Sequence, residues 1–201
     1  MNKRSKSLKV LDFKIGLMFA IVFASSFFLL LYFPQVPPEL AVSSKNFLGI
    51  VTSIFVHKDF CHFGINLVVA VVTILFYSFS SFISGIRNDK FMVGAIWLSA
   101  IIANLAFVFI SPDLSVGSSG LVSAFMGGAT TFALINAWKA PDGHIKKIQI
   151  IIGVLLFVVF VFLNFFSSTD TNNVVHWIAF FTMVSIVLLK QLWSERSSKA
   201  H

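Results

Sequence analysis

The residue types needed for acyl transfer recur here at spacings that could bring them together. His57, His62 and Asn66 lie close together in the sequence, Ser119 sits within Val116-Gly117-Ser118-Ser119-Gly120, and His176 follows downstream. A serine hydroxyl is a nucleophile once a neighbouring imidazole takes its proton. Imidazole, carboxamide and free backbone N–H groups can hold the oxyanion that then forms. His62 and Asn66 are at i and i+4, so on a helix they share a face. Gly117 and Gly120 flank the serine and permit a tight turn and close approach of another backbone. A serine opening a helix also meets unpaired N–H groups and the positive end of the helix dipole. Serine is a good helix cap as well, and on this motif alone capping is the simpler account.

Whether these side chains meet depends on the elements that carry them. Of the 201 residues, 57% are hydrophobic and only 11% charged, and phenylalanine occurs 25 times. Soluble domains carry about 25% charged residues, so this chain cannot clothe a soluble globule. Six apolar runs, 15–33, 62–82, 91–110, 119–138, 148–166 and 174–189, are predicted as membrane-spanning helices, since a span needs ~20 residues. The expected organisation is a tail over 1–14, a six-helix bundle over 15–190 and a second tail over 191–201. The first run follows a basic stretch, as a signal peptide would, but it is long and no small-residue cleavage site follows it.

All but two of the 15 Lys and Arg residues fall on one side of these spans. They are Lys3, Arg4, Lys6, Lys9 and Lys14, then Arg87 and Lys90, then Lys139, Lys146 and Lys147, then Lys190, Arg196 and Lys199; only Lys45 and Lys58 fall opposite. The eight acidic residues divide evenly. Basic loops stay cytoplasmic, so both termini are expected in the cytoplasm and the protein in the plasma (inner) membrane. The net charge of +7 is then a topological signal, and no nucleic-acid partner is expected. The even-numbered spans all run inward, which puts His62, Asn66, Ser119 and His176 near the outer ends of their helices at similar depth. Gly120, Ala124 and Gly128, beside Ser119, Ser123 and Gly127, give the fourth span two stripes of small residues, the mark of a closely packed central helix.

The longest connection, 34–61, opens with Pro34, Pro37 and Pro38 and then turns apolar. Phe47, Leu48, Val51, Ile54 and Phe55 fall at helix-like spacing, so an interfacial helix is predicted there. A single cysteine, Cys61, excludes an intrachain disulfide, and no H-E-x-x-H occurs; neither a metal nor another cofactor is expected. Three other accounts stand beside acyl transfer at Ser119: a transporter, which would need ionisable groups at mid-membrane, where the spans offer only such weak polar candidates as Asn104 and Thr130; a Cys61 nucleophile, although Cys61 suits a small packing residue; and a helix-binding protein without chemistry.

Taken in order, these residues resemble the rhomboid family of intramembrane serine proteases. His57, His62 and Asn66 match the family's H-x4-H-x3-N pattern, and Gly117 to Gly120 match its G-x-S-G. His176 stands two spans later, where the family has its catalytic histidine. The resemblance covers nearly the whole chain and implies a six-helix fold. It also implies roles: Ser119 as nucleophile, His176 as general base in a Ser/His dyad, His62, Asn66 and the Ser119 N–H as oxyanion donors, and His57 as a structural residue. Single-span membrane proteins would be the substrates and the bilayer the surrounding partner. An inactive relative that binds membrane helices is the alternative the resemblance leaves open. This sequence departs from the family at Ser123, where many relatives have an aromatic residue. It departs again at Ala179 and Met183, where glycines are usual, and at Leu48-Gly49, near the place of a Trp-Arg pair. The expectation is that bulk has moved from the fourth span to the sixth.

Overall fold

The structure, a computed structural model, describes residues 12–33, 35–43, 45–86, 88–111, 114–166 and 172–199. Most of the basic N-terminal tail, Arg87 and Asp170 lie outside these residues. The apolar runs form helices α1 (Asp12–Tyr32), α2 (Phe60–Ser84), α3 (Asp89–Ile110), α4 (Ser119–Lys139), α5 (Gly143–Phe166) and α6 (Asn172–Lys199). All six are long and apolar enough to cross a bilayer.

Local chemistry sets the helix ends. Asp59 caps α2 by accepting the His62 N–H at 2.7 Å, and Gly85, at φ 65°, ends it in the left-handed conformation that glycine adopts freely. Asp142 accepts the N–H groups of His144 and Ile145. That cap lets α5 begin at Gly143, ahead of the predicted start at 148, because a polar turn is helical when its free donors are met. The sixth span, predicted to end at 189, continues as helix to Lys199. Gln191 hydrogen-bonds Glu195 one turn on, and Lys139 on α4 lies 3.7 Å from the Glu195 carboxylate. Side-chain pairs at this spacing support a helix that no apolar face requires.

α4 is the axis of the bundle and packs on α2, α3, α5 and α6, while α1 packs on α2 and α3. Its span is 89% buried, against 28–44% for the other five. The small residues explain this. A Cβ added at Gly127 would lie 2.5 Å from the Phe180 carbonyl oxygen, so α6 backbone runs directly against α4. At Gly128 it would meet Met183 Cε at 2.6 Å and Met92 Cε at 2.9 Å. Met183 thus packs into the space beside Gly128 across the interface, while Ser123, where bulk was expected to have been lost, lines the cavity described below.

The connection between α1 and α2 is more tightly folded than the predicted interfacial helix. It contains a 3-10 turn (Pro38–Leu40), one α-turn (Gly49–Thr52) and another 3-10 turn (Ser53–Phe55). The segment folds back on itself: a Cβ on Gly49 would lie 2.1 Å from the Ala41 carbonyl oxygen. Asn46 Nδ2 donates to the carbonyls of Glu39 and Ala41, and Thr52 Oγ1 donates to that of Leu40. The apolar stripe therefore splits. Phe47, Leu48 and Val51 are exposed, Ile54 is buried, and Phe55 packs on Trp97 of α3. Asn104 of α3 donates to the Ile50 carbonyl at 2.8 Å and to Ser53 Oγ at 3.1 Å. Its amide anchors this loop, which accounts for a polar residue inside α3.

Candidate active site

The loop just described supports the start of α4. Val42 and Ser115 exchange two backbone hydrogen bonds, of 3.0 and 3.1 Å, and the Gly117 N–H donates to the Ser53 carbonyl at 2.9 Å. Ser118 occupies the helix N-cap position without a capping side-chain bond. Its hydroxyl lies 3.0 Å from His57 Nε2, and its backbone N–H points at the same nitrogen from 3.5 Å, which makes Nε2 the acceptor. His57 is buried beside Phe23, Phe63 and His62. Burial, then the neighbouring His62, pull its pKa down to about 3 against the opposing pull of Asp59, so the ring is neutral. His57 therefore touches the serine loop through Ser118 and does not line the cavity described below.

Ser119 is the first residue of α4 rather than its cap. The capping account of this serine does not hold, because Ser118 has that position. Gly117 has φ 121°, and a Cβ there would lie 2.9 Å from His62 Cε1 and 3.5 Å from Ser119 Oγ. The glycine is thus needed for its backbone angle and for room beside an imidazole, whereas close approach of another backbone was expected. Gly120 lies against Val175 Cγ1 of α6, at 3.2 Å from its notional Cβ.

His62 and Asn66, one turn apart on α2, line a cavity of about 450 Å³ together with Ser119 and Ser123 of α4, Asn164 of α5 and His176 of α6. Asn66 is buried, and its Nδ2 has no hydrogen-bond partner among the described residues. His176 Nδ1 is 3.0 Å from Asn164 Oδ1, while its buried Nε2 has no partner among the described residues. Ser119 and His176 therefore face one cavity without a direct hydrogen bond. Cys61, expected to be a packed residue, is exposed at the cavity. Among the described residues, no group of three or more His, Cys, Asp or Glu side chains is placed to hold a metal ion.

The sequence from 44 to 192 matches the family model of the rhomboid domain. The chain belongs to the rhomboid family. Comparison with curated proteins and with solved structures returned no match. The rhomboid match begins in the loop between α1 and α2 and takes in every cavity residue named above, while α1 precedes it. The family includes serine proteases, and this member is a multi-pass membrane protein with six candidate spans.

One polar residue lining the rhomboid cavity, and a second that holds it, escaped the sequence reading. Asn164 stands in the last turn of α5, and Asn173 in the first turn of α6 donates its side-chain N–H to the Asn164 carbonyl at 3.1 Å. The available signal was a carboxamide near the end of an otherwise apolar run, in a chain where such groups are costly. Ser118 was also passed over, because the motif drew attention to its neighbour.

Proposed function

We propose that this rhomboid is an intramembrane serine endopeptidase acting through an acyl-enzyme. The observation that carries this reading is the meeting of Ser119, His176, His62 and Asn66 around one cavity. Ser119 Oγ attacks the scissile carbonyl carbon as His176 takes the hydroxyl proton. Asn66 Nδ2, the His62 ring N–H and the Ser119 backbone N–H at the helix start stabilise the oxyanion. His176 passes its proton to the leaving amine, the C–N bond breaks, and an ester remains on Ser119. Water then loses a proton to His176 and hydrolyses the ester. The scheme uses no cofactor.

Ile65 of α2 and Phe162 of α5 are exposed and line the cavity, so its rim meets lipid between these helices. A substrate helix entering there must unwind locally, because helical carbonyls are already hydrogen-bonded. Proposed substrates are single-span membrane proteins with small or helix-breaking residues near the outer end of their span. The Lys/Arg asymmetry puts both termini in the cytoplasm and the cavity near the outer face of the plasma (inner) membrane.

One observation favours a second reading, a rhomboid that binds membrane helices without cutting them: His176 Nε2 is not hydrogen-bonded to Ser119. Catalytic hydrogen bonds are often long without substrate and tighten in the complex. Covalent labelling by a fluorophosphonate separates the two. Wild type is expected to label, while Ser119→Ala and His176→Ala are not. Asn66→Ala is expected to label about 100- to 1000-fold more slowly, and Cys61→Ala normally. Equal labelling of all variants would mean that another residue is the nucleophile. No labelling of folded wild type would establish the non-cutting reading.

A further inference from the structure

His176 is held on one side only. Asn164 Oδ1 sits 3.0 Å from its Nδ1, and nothing among the described residues bonds its Nε2. The orientation of the Asn164 amide is fixed independently. Its Nδ2 donates to the Phe160 carbonyl, one turn back on α5, at 2.8 Å. The oxygen must therefore face the imidazole, and a carboxamide oxygen only accepts. It follows that His176 Nδ1 carries the ring proton. In a neutral imidazole the other nitrogen is then a bare acceptor. The backbone of Asn164 is held too, since Asn173 Nδ2 donates to its carbonyl at 3.1 Å. That carbonyl belongs to the last turn of a helix, where no intrahelical partner exists. Asn173 thus ties the end of α5 to the start of α6, three residues before His176. Asn164 itself is buried.

From this geometry we infer that Asn164 is a positioning residue that holds His176 in the Nδ1–H tautomer. Its catalytic consequence rests on the protease reading: Nε2 is then the nitrogen that takes the Ser119 proton. With no acceptor at Nδ1 the proton is free to sit on Nε2, where the ring is useless as a base. A neutral amide suits this place better than a carboxylate, because an unpaired charge within a span is costly. The imidazolium formed during reaction still gains a hydrogen bond to a polarised oxygen, and bonds to charged groups are the stronger kind.

The test joins histidine 15N NMR with fluorophosphonate labelling on the full chain in detergent, with thermal melting to show that each variant is folded. The His176 signals are assigned by their loss in His176→Ala. Wild type is expected to show the Nδ1–H tautomer. Asn164→Leu, similar in size but without an acceptor, is expected to move His176 toward Nε2–H and to slow labelling about 10- to 100-fold. Asn164→Asp restores an acceptor and is expected to recover both the tautomer and much of the rate. An Nε2–H signal in wild type overturns the inference and needs no variant. An unchanged tautomer in folded Asn164→Leu overturns it as well. If wild type does not label but the tautomer shifts as expected, the positioning role stands and the protease reading fails.

Discussion

The wall of the cavity that carries Ser119 and the wall that carries His176 are built differently. On the first, the chain before α4 is bonded backbone to backbone with the loop between α1 and α2, through Val42 with Ser115 and Gly117 with Ser53. His57 fastens Ser118 from beneath, and α4 is enclosed by four other helices. On the second, His176 depends on two carboxamides, Asn164 and Asn173, at the junction of α5 and α6. Both helices leave most of their span facing outward. Ser119 is therefore placed by backbone bonds and helix packing, and the His176 ring is oriented by a side-chain bond at a helix junction. Damage to the first wall should cost structure and chemistry together. Damage to the second should cost chemistry alone.

Gly117→Ala should break the first wall most severely. Alanine resists φ 121°, and its methyl group would lie 2.9 Å from His62 Cε1, so both the serine turn and the His62 ring must shift. Labelling by a fluorophosphonate should fall by ~100-fold or more, with a lowered melting temperature from the strained backbone. Wild-type labelling and melting would mean that the turn does not position Ser119. A paired comparison along α4 should show a smaller effect. Gly127→Ala drives a methyl group into the α6 backbone at Phe180, whereas Gly128→Ala meets the flexible tips of Met183 and Met92. Overpacking costs about 1–3 kcal/mol; Gly127→Ala should sit at the upper end and Gly128→Ala below it, read as melting temperatures in detergent. The reverse order would place the tight α4–α6 contact at Met183 instead.

The same contrast explains what could be read from the sequence. Six apolar runs and two stripes of small residues carry enough information for a six-helix bundle with α4 at its centre, because span length and close packing are local properties of composition. Ser119, His176, His62 and Asn66 were legible because polar groups inside spans are rare and helix direction alone brings these to one end. Asn164 was not, since its role lies in a contact between helix ends that no spacing encodes. The loop between α1 and α2 was legible in part: its apolar stripe does form helical turns over 49–55, but Gly49, Asn46 and Thr52 fold them back onto residues 39–41, which no spacing announces. Ser118 and Ser119 show the limit most sharply. They are adjacent and identical, and only the tertiary position of His57 makes one a buried anchor and leaves the other to face the cavity.

The anchor under the first wall also supplies the mildest test of the comparison, through pH. His57 has an ordinary pKa of 6.5 when unfolded and about 3 when folded, chiefly because it is buried. Its folded-state value is depressed, so the unfolded chain binds the proton more readily. The His57 contribution is complete above pH 6.5 and is lost as pH falls from there toward 3, by about 1.4 kcal/mol per pH unit. Protonation also removes the Nε2 lone pair that accepts from Ser118, so acid should loosen the serine turn itself. Melting temperatures measured between pH 7 and 4 should therefore decline, and His57→Gln, which keeps polarity but does not titrate, should decline less steeply. If His57→Gln were as steep as wild type, the acid sensitivity would belong elsewhere, and the first wall would not rest on a neutral His57.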